Sequence, residues 1–136
     1  MIRVPPVILT IQVCDSVIVD QLTGRASVLN IFETIKARKY PATHHSMTFF
    51  CELTNGHGKV DIDVRLVDVQ EDDKTMAEVK SEVVFANVKQ ICRCILTFGG
   101  VTFPKKGEYR FQLFLNGELA GERRLVCNVI ALGDRQ

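Results

Sequence analysis

No stretch of the sequence approaches the ~20 consecutive apolar residues that a membrane-spanning helix requires. The most apolar one, residues 7–19, is interrupted by Gln12 and Asp15 and preceded by Pro5 and Pro6. No small-x-small cleavage pattern follows it, so it reads as a strand and not as a secretory leader. Glycosylation acceptors of the form Asn-x-Ser/Thr are also missing. An excess of charge is lacking too: 17 basic residues against 16 acidic ones leave +1, and no net field draws the chain onto nucleic acid or an anionic membrane. Neither a nucleic-acid nor a membrane partner is expected, and the cytoplasm is the expected compartment.

The signatures of common chemistries are absent as well. Gly56-His57-Gly58-Lys59 lacks both the spacing and the following Ser/Thr of a phosphate-binding loop. Cys92 and Cys94 would sit on one face of a strand with their sulfurs roughly 6–7 Å apart, whereas structural zinc sites wrap a tight knuckle around the metal. His44 and His45 are adjacent, and neighbours on an extended chain point to opposite sides. The acidic residues Asp61, Asp63, Asp68, Glu71, Asp72 and Asp73 lack the glycine-punctuated loop that calcium sites use. No Ser/His/Asp or Cys/His order assembles without free choice among distant residues. Five cysteines are an odd number at strand-like positions, in a chain long enough to fold without staples. Reduced core thiols, no cofactor, no metal and no enzymatic activity are therefore expected.

What is present is alternation. The sharpest segment runs from Phe103-Pro104 through Gly107 to Leu119: Tyr109, Phe111, Leu113 and Leu115 recur at period two, and Asn116-Gly117 accepts the positive φ of a tight hairpin. Met47, Phe49, Cys51 and Leu53 alternate in the same way, as do Val60, Ile62, Val64 and Leu66, whose partners Asp61, Asp63 and Arg65 should face water. Val7, Leu9, Ile11 and Val13 give a first strand with one wholly apolar face, and a turn centred on Gly24 follows. Residues 26–39 suit a helical stripe by spacing and a strand by β-branched content; a strand to about Phe32 is expected, then an irregular basic segment, residues 36–40. The segment 72–83 is open in the same way, with strand favoured. Cys92, Cys94, Leu96 and Phe98 share the face of a strand that Gly99-Gly100 should break, and a last strand is expected over 123–130.

Eight or nine such strands, with turns every 8 to 12 residues and no long helix, predict an all-β, antiparallel two-sheet sandwich, immunoglobulin-like or related; a closed barrel is the runner-up. At 136 residues, with 46% apolar and 24% charged residues, the chain reads as one globular domain, 1–136, with its core in about 5–130.

The order of motifs also resembles a known family. Cys14-Asp15, the Gly24 turn into Leu29-Asn30-Ile31-Phe32, the run from Val60-Asp61-Ile62 to Val67-Asp68, and Phe103-Pro104 followed by Gly107-Glu108-Tyr109-Arg110-Phe111 together are similar to uncharacterised bacterial proteins described only as a domain of unknown function. The resemblance spans about 7–126. It implies a β-sandwich and brings no activity, cofactor or catalytic residue.

Two kinds of candidate site remain. Phe50 and Phe114 fall out of phase with the apolar set of their strands, so they should point away from the core, where rings either lie under a covering segment or anchor an interface. Lys36, Arg38 and Lys39, and separately Lys105 and Lys106, would hold a phosphate or carboxylate if they converged. The expected function is a non-catalytic interaction or structural module that binds another protein or itself. The alternative is a binder of small anions or polyanions.

Overall fold

The computed structural model describes residues 4–130. It contains nine strands: β1 (Val7–Val19), β2 (Ala26–Ile31), β3 (Thr34–Ala37), β4 (Ala42–Thr54), β5 (Gly58–Asp68), β6 (Lys74–Phe85), β7 (Cys92–Phe103), β8 (Gly107–Leu115) and β9 (Glu118–Val129). One 3-10 turn, Val69–Glu71, is capped by Asp68, whose side chain accepts from the Gln70 amide. The strands form two sheets, ordered β2-β1-β4-β7 (sheet A) and β3-β9-β8-β5-β6 (sheet B). Every pairing is antiparallel except that of β3 with β9. The expected all-β two-sheet sandwich is the structure found.

The alternating sets fill the space between the sheets. Met47, Phe49, Cys51 and Leu53 of β4 are all wholly buried, and Tyr109, Phe111 and Leu113 of β8 are equally closed off. The inward residues of β5 and β8 lie side by side in one sheet, Leu66 beside Phe111 and Val64 beside Leu113. Across the sandwich, Phe111 meets Phe49 and Phe98 of sheet A at 5.8 and 5.3 Å between ring centroids. Such tilted and edge-on contacts suit the quadrupoles of aromatic rings. Tyr109 is a polar residue at a core position, and its hydroxyl donates to the Lys105 carbonyl at 2.6 Å while its ring packs edge-on against Phe103. The hydroxyl thus satisfies the tight turn that carries β7 into β8.

Several expectations change. β1 does not present Val7, Leu9, Ile11 and Val13 as one face, because an extra residue, Leu9, is bulged between Ile8 and Thr10. The bulge exchanges the two faces. Ile8, Ile11 and Val13 turn inward, while Val7 and Leu9 are exposed. Gly99-Gly100 does not end its strand either. β7 continues to Phe103, Gly100 takes φ of 64°, and the buried positions change from Leu96 and Phe98 to Val101 and Phe103. The glycine pair is where the strand changes phase, a role that the absence of a Cβ makes cheap. The first two residues of the segment expected to be irregular, Lys36 and Ala37, belong to β3, which pairs Thr34–Ala37 with residues 126–129 of β9. β9 itself starts at Glu118, directly after the turn in which Asn116 and Gly117 take φ of 51° and 84°.

Replacing Phe111 by Ala should destabilise the protein by roughly 3–5 kcal/mol, since the ring leaves a cavity between both sheets. Leu9→Ser should change stability by no more than about 0.5 kcal/mol, as at an ordinary surface site. Urea unfolding of both variants checks the core and the bulge together, and a large loss at Leu9 would mean that the faces are not exchanged.

Candidate interaction surface

Ion pairs cover much of the outer face of sheet B, which also exposes Val84 and Leu119. Arg65 on β5 donates to Asp63 at 2.9 Å and to Glu78 on β6 at 2.8 Å. Lys59 pairs with Glu82 at 3.0 Å. Arg110 on β8 meets Glu108 at 2.9 Å and Glu122 on β9 at 3.5 Å, and Arg124 meets the other oxygen of Glu108 at 3.2 Å. These pairs are exposed enough that each adds little stability. Together they tile the face with alternating sign. Phe114 points outward into this lattice, as its phase predicts, but the Arg65 guanidinium lies 4.2 Å over its ring and leaves it half-buried. It is part of the lattice and not a bare apolar anchor.

Phe50 also points away from the main core, yet it is only 4% exposed and unavailable as an interface residue. It lies between Gln12 of β1 and Ile95 of β7 on the outer face of sheet A. The hairpin made by the end of β1 and by β2 is tied to that face, because Arg93 on β7 donates to the Gly24 carbonyl at its tip at 3.0 Å. Arg93 in turn meets Glu52 of β4 at 3.4 Å. A covering segment thus accounts for Phe50.

The hairpin is well defined. Asp20 closes its turn by accepting from the amides of Leu22 and Thr23, at 2.8 and 3.2 Å, and Gly24 takes φ of 73°. Its register pairs Cys14 with Ile31, Ser16 with Leu29 and Ile18 with Ser27. Cross-strand and alternate neighbours share a face, so Ile18 and Leu29 lie together, and Ile31 follows beyond Asn30, whose φ of 56° breaks the alternation. They are 56%, 39% and 53% exposed, and Leu22 at the tip is 97% exposed. The spacing in 26–31 does not reveal this, since the same residues would serve a buried strand. The signal that was available is the absence of any charge between Arg25 and Glu33.

The basic clusters come to the same end of the sandwich, because β3 and the turn before β8 both flank residues 126–129 of β9. They do not form one basic site. Lys105 is held by Glu71 at 3.1 Å and shares a cavity of about 520 Å³ with Asp68, Glu71 and Lys74. Lys36 lines a different cavity, of about 390 Å³, with Asp15 and His44. Arg38, Lys39 and Lys106 are exposed. Acidic side chains stand in both cavities, which opposes anion binding.

The remaining titratable groups of note are buried or, for Tyr40, half-buried. All five cysteines are free thiols. Cys51 and Cys94 face each other across β4 and β7 and share a hydrogen bond, which raises Cys51 and lowers Cys94. Among the described residues, no group of three or more His, Cys, Asp or Glu side chains is placed to hold a metal ion. The Tyr40 hydroxyl donates to the Asn128 carbonyl at 2.7 Å beside Cys127. Burial pushes Cys127 from its ordinary 9.0 up to about 11, and Tyr40 from 10.0 up to about 12. No helix of the described residues is long and apolar enough to cross a membrane.

With this geometry in place, comparison with known proteins locates the chain. The model of a family of unknown function, DUF6941, matches residues 9–128. The chain belongs to DUF6941. No curated protein sequence matches it. Among solved structures, the DUF6941 chain is similar to an immunoglobulin-like protein from Pseudomonas aeruginosa, at 15% identity over 87% of this chain and 91% of that one, with a TM-score of 0.37. It is also similar to part of a glycosyl hydrolase family 2 member from Bacteroides cellulosilyticus, at 18% identity over 63% of this chain, with a TM-score of 0.40. It spans only 13% of that hydrolase.

The raised Cys127 and Tyr40 give a pH prediction. Both groups stay protonated in the fold while the unfolded chain ionises them near their ordinary values, so the unfolded state binds fewer protons above about pH 9. Their contribution is complete below pH 9.0 and is lost as pH rises through about 12. The urea midpoint should fall from about pH 9 to pH 11, and Tyr40→Phe should shallow that fall. A midpoint that holds steady to pH 11 would contradict the burial of both groups.

Proposed function

We propose that this chain is a non-catalytic protein-binding module whose docking element is the hairpin formed by residues 16–31. The observation that carries the reading is the placement of apolar surface. The outer face of sheet B carries a lattice of ion pairs, with Val84 and Leu119 exposed on it, and Phe50 is withdrawn beneath its own chain, whereas Ile18, Leu22, Leu29 and Ile31 all stay in water on one hairpin. Contiguous exposed apolar groups on a rigid scaffold mark an interaction surface. A non-catalytic role is supported by the cavities, which bring charged residues together mainly as opposed pairs. The five free thiols favour a reducing compartment, and the cytoplasm is the natural one.

The test is site-specific photocrosslinking in intact cells, with the crosslinker placed at Leu29 and, as a control, at Lys80 on the charged edge of sheet B. A discrete protein adduct from position 29 and none from position 80 is expected. Equal adducts from both positions, or none from position 29, would overturn the reading.

A further inference from the structure

We infer that Cys51 and Cys94 are a redox-active thiol pair, which a hydroperoxide oxidises to a disulfide between β4 and β7 without unfolding the chain. The chemistry of this pair does not depend on the protein-binding reading above. Cys51 and Cys94 are direct partners in the antiparallel pairing of β4 with β7, and both side chains belong to the core between the sheets. Directly opposed residues of an antiparallel pair stand about 4.5 or about 5.5 Å apart at Cα, and both spacings lie inside the roughly 4.4–6.8 Å that a disulfide bridges. The two thiols already meet in a hydrogen bond. Closing the bridge therefore asks for an adjustment of two side chains and not for a rearrangement of the strands.

The other three sulfurs have other neighbours. Cys14 donates to the carbonyls of Ser16 and Thr48 at 3.4 and 3.6 Å, and Cys92 donates to that of Val84 at 3.7 Å. Cys127 lies beside the Tyr40 hydroxyl. Cys92 shares a face with Cys94, but alternate residues of one strand stand roughly 6–7 Å apart, whereas a disulfide holds its Cβ atoms about 3.5–4.5 Å apart. The residue opposite Cys92 is Leu53.

The two thiols have different parts to play. β7 is an end strand of sheet A, paired on one side only, while β4 lies inside that sheet, so β7 opens at lower cost. Cys94 on β7 is 4% exposed and Cys51 on β4 is wholly buried. Their shared hydrogen bond also favours the thiolate at Cys94 and disfavours it at Cys51. Cys94 is thus the sulfur that a small hydroperoxide meets first. With hydrogen peroxide, that sulfur attacks one oxygen and the O–O bond breaks. Cys94 becomes a sulfenic acid, and the departing hydroxide takes up the thiol proton and leaves as water. The Cys51 sulfur then attacks the sulfenic sulfur, the S–S bond forms, the S–O bond breaks, and a second water leaves with the Cys51 proton. The two thiols give up two electrons in all, and these reduce the peroxide to two waters. An external thiol returns the pair to its reduced form by exchange.

The test treats the intact, reduced protein with hydrogen peroxide while circular dichroism follows the fold. The oxidant is then removed, the remaining thiols are alkylated with N-ethylmaleimide in denaturant, and the mass is read. Alkylated thiols should fall from five to three, by the two that close the bridge, and dithiothreitol should restore all five. Trypsin cuts after Arg93 and so separates Cys92 from Cys94; the peptide 40–59 should appear joined to the peptide 94–105. Cys92→Ala should keep that link. In Cys51→Ala, dimedone should trap a sulfenic acid at Cys94, whereas Cys94→Ala should yield none at Cys51. Five thiols still open to alkylation after peroxide treatment of the folded protein would overturn the inference. So would a link that forms only in urea sufficient to unfold the chain, or one that joins either peptide to a different cysteine. A sulfenic acid trapped at Cys51 in Cys94→Ala would overturn the order of attack.

Discussion

The insertion of Phe111 between Phe49 and Phe98 is the contact on which the rest of the structure depends. One ring comes from sheet B and two from sheet A, and all three are almost wholly buried. Two sheets of a sandwich cohere only where inward side chains interlock, because their backbones hydrogen-bond within each sheet and not between sheets. The ring cluster sets the spacing at the centre. Each strand then has to keep delivering an apolar residue to that layer, and the irregularities of the backbone serve this demand. Leu9 is bulged out of β1 so that Ile8 and Ile11 both reach the core, and Gly99-Gly100 lets β7 change phase so that Val101 and Phe103 follow Phe98 inward.

These irregularities also mark where the sequence stops being readable. Period-two alternation is a property of a regular pleat, so β4, β5 and β8 were legible from their residues alone. A single inserted residue preserves the composition of β1 and inverts its meaning, and nothing in the string Val7-Ile8-Leu9-Thr10-Ile11 says which apolar residue is the extra one. A glycine pair ends some strands and bends others, and only the partner strand decides. β3 was hidden for a related reason. Its four residues gain strand structure from a parallel partner nearly a hundred residues away, and a stretch of Thr-Ile-Lys-Ala has no periodicity of its own.

The candidate site was legible in part. The phases of Phe50 and Phe114 correctly turned both rings away from the core, but what covers an outward ring depends on tertiary placement. Arg65 caps one, and the hairpin tied down through Arg93 and Gly24 accounts for the other. Part of the apolar surface that remains exposed lies on that hairpin, at Ile18, Leu22, Leu29 and Ile31, and β2 of the same hairpin is an end strand without charge. A sandwich whose alternating pattern supplies its own core has little reason to keep Ile18, Leu29 and Ile31 in water unless that face meets something. The fold and the proposed role therefore follow from a single division of apolar residues, between a core that is fully used and an edge that is not.

Hydrogen–deuterium exchange of the intact protein, followed at residue resolution, tests this division most directly. The account predicts that amides of β4, β5 and β8 exchange slowest, while those of β2 that face away from β1 exchange fast. Slow exchange along the whole of β2, or fast exchange in β8, would contradict it.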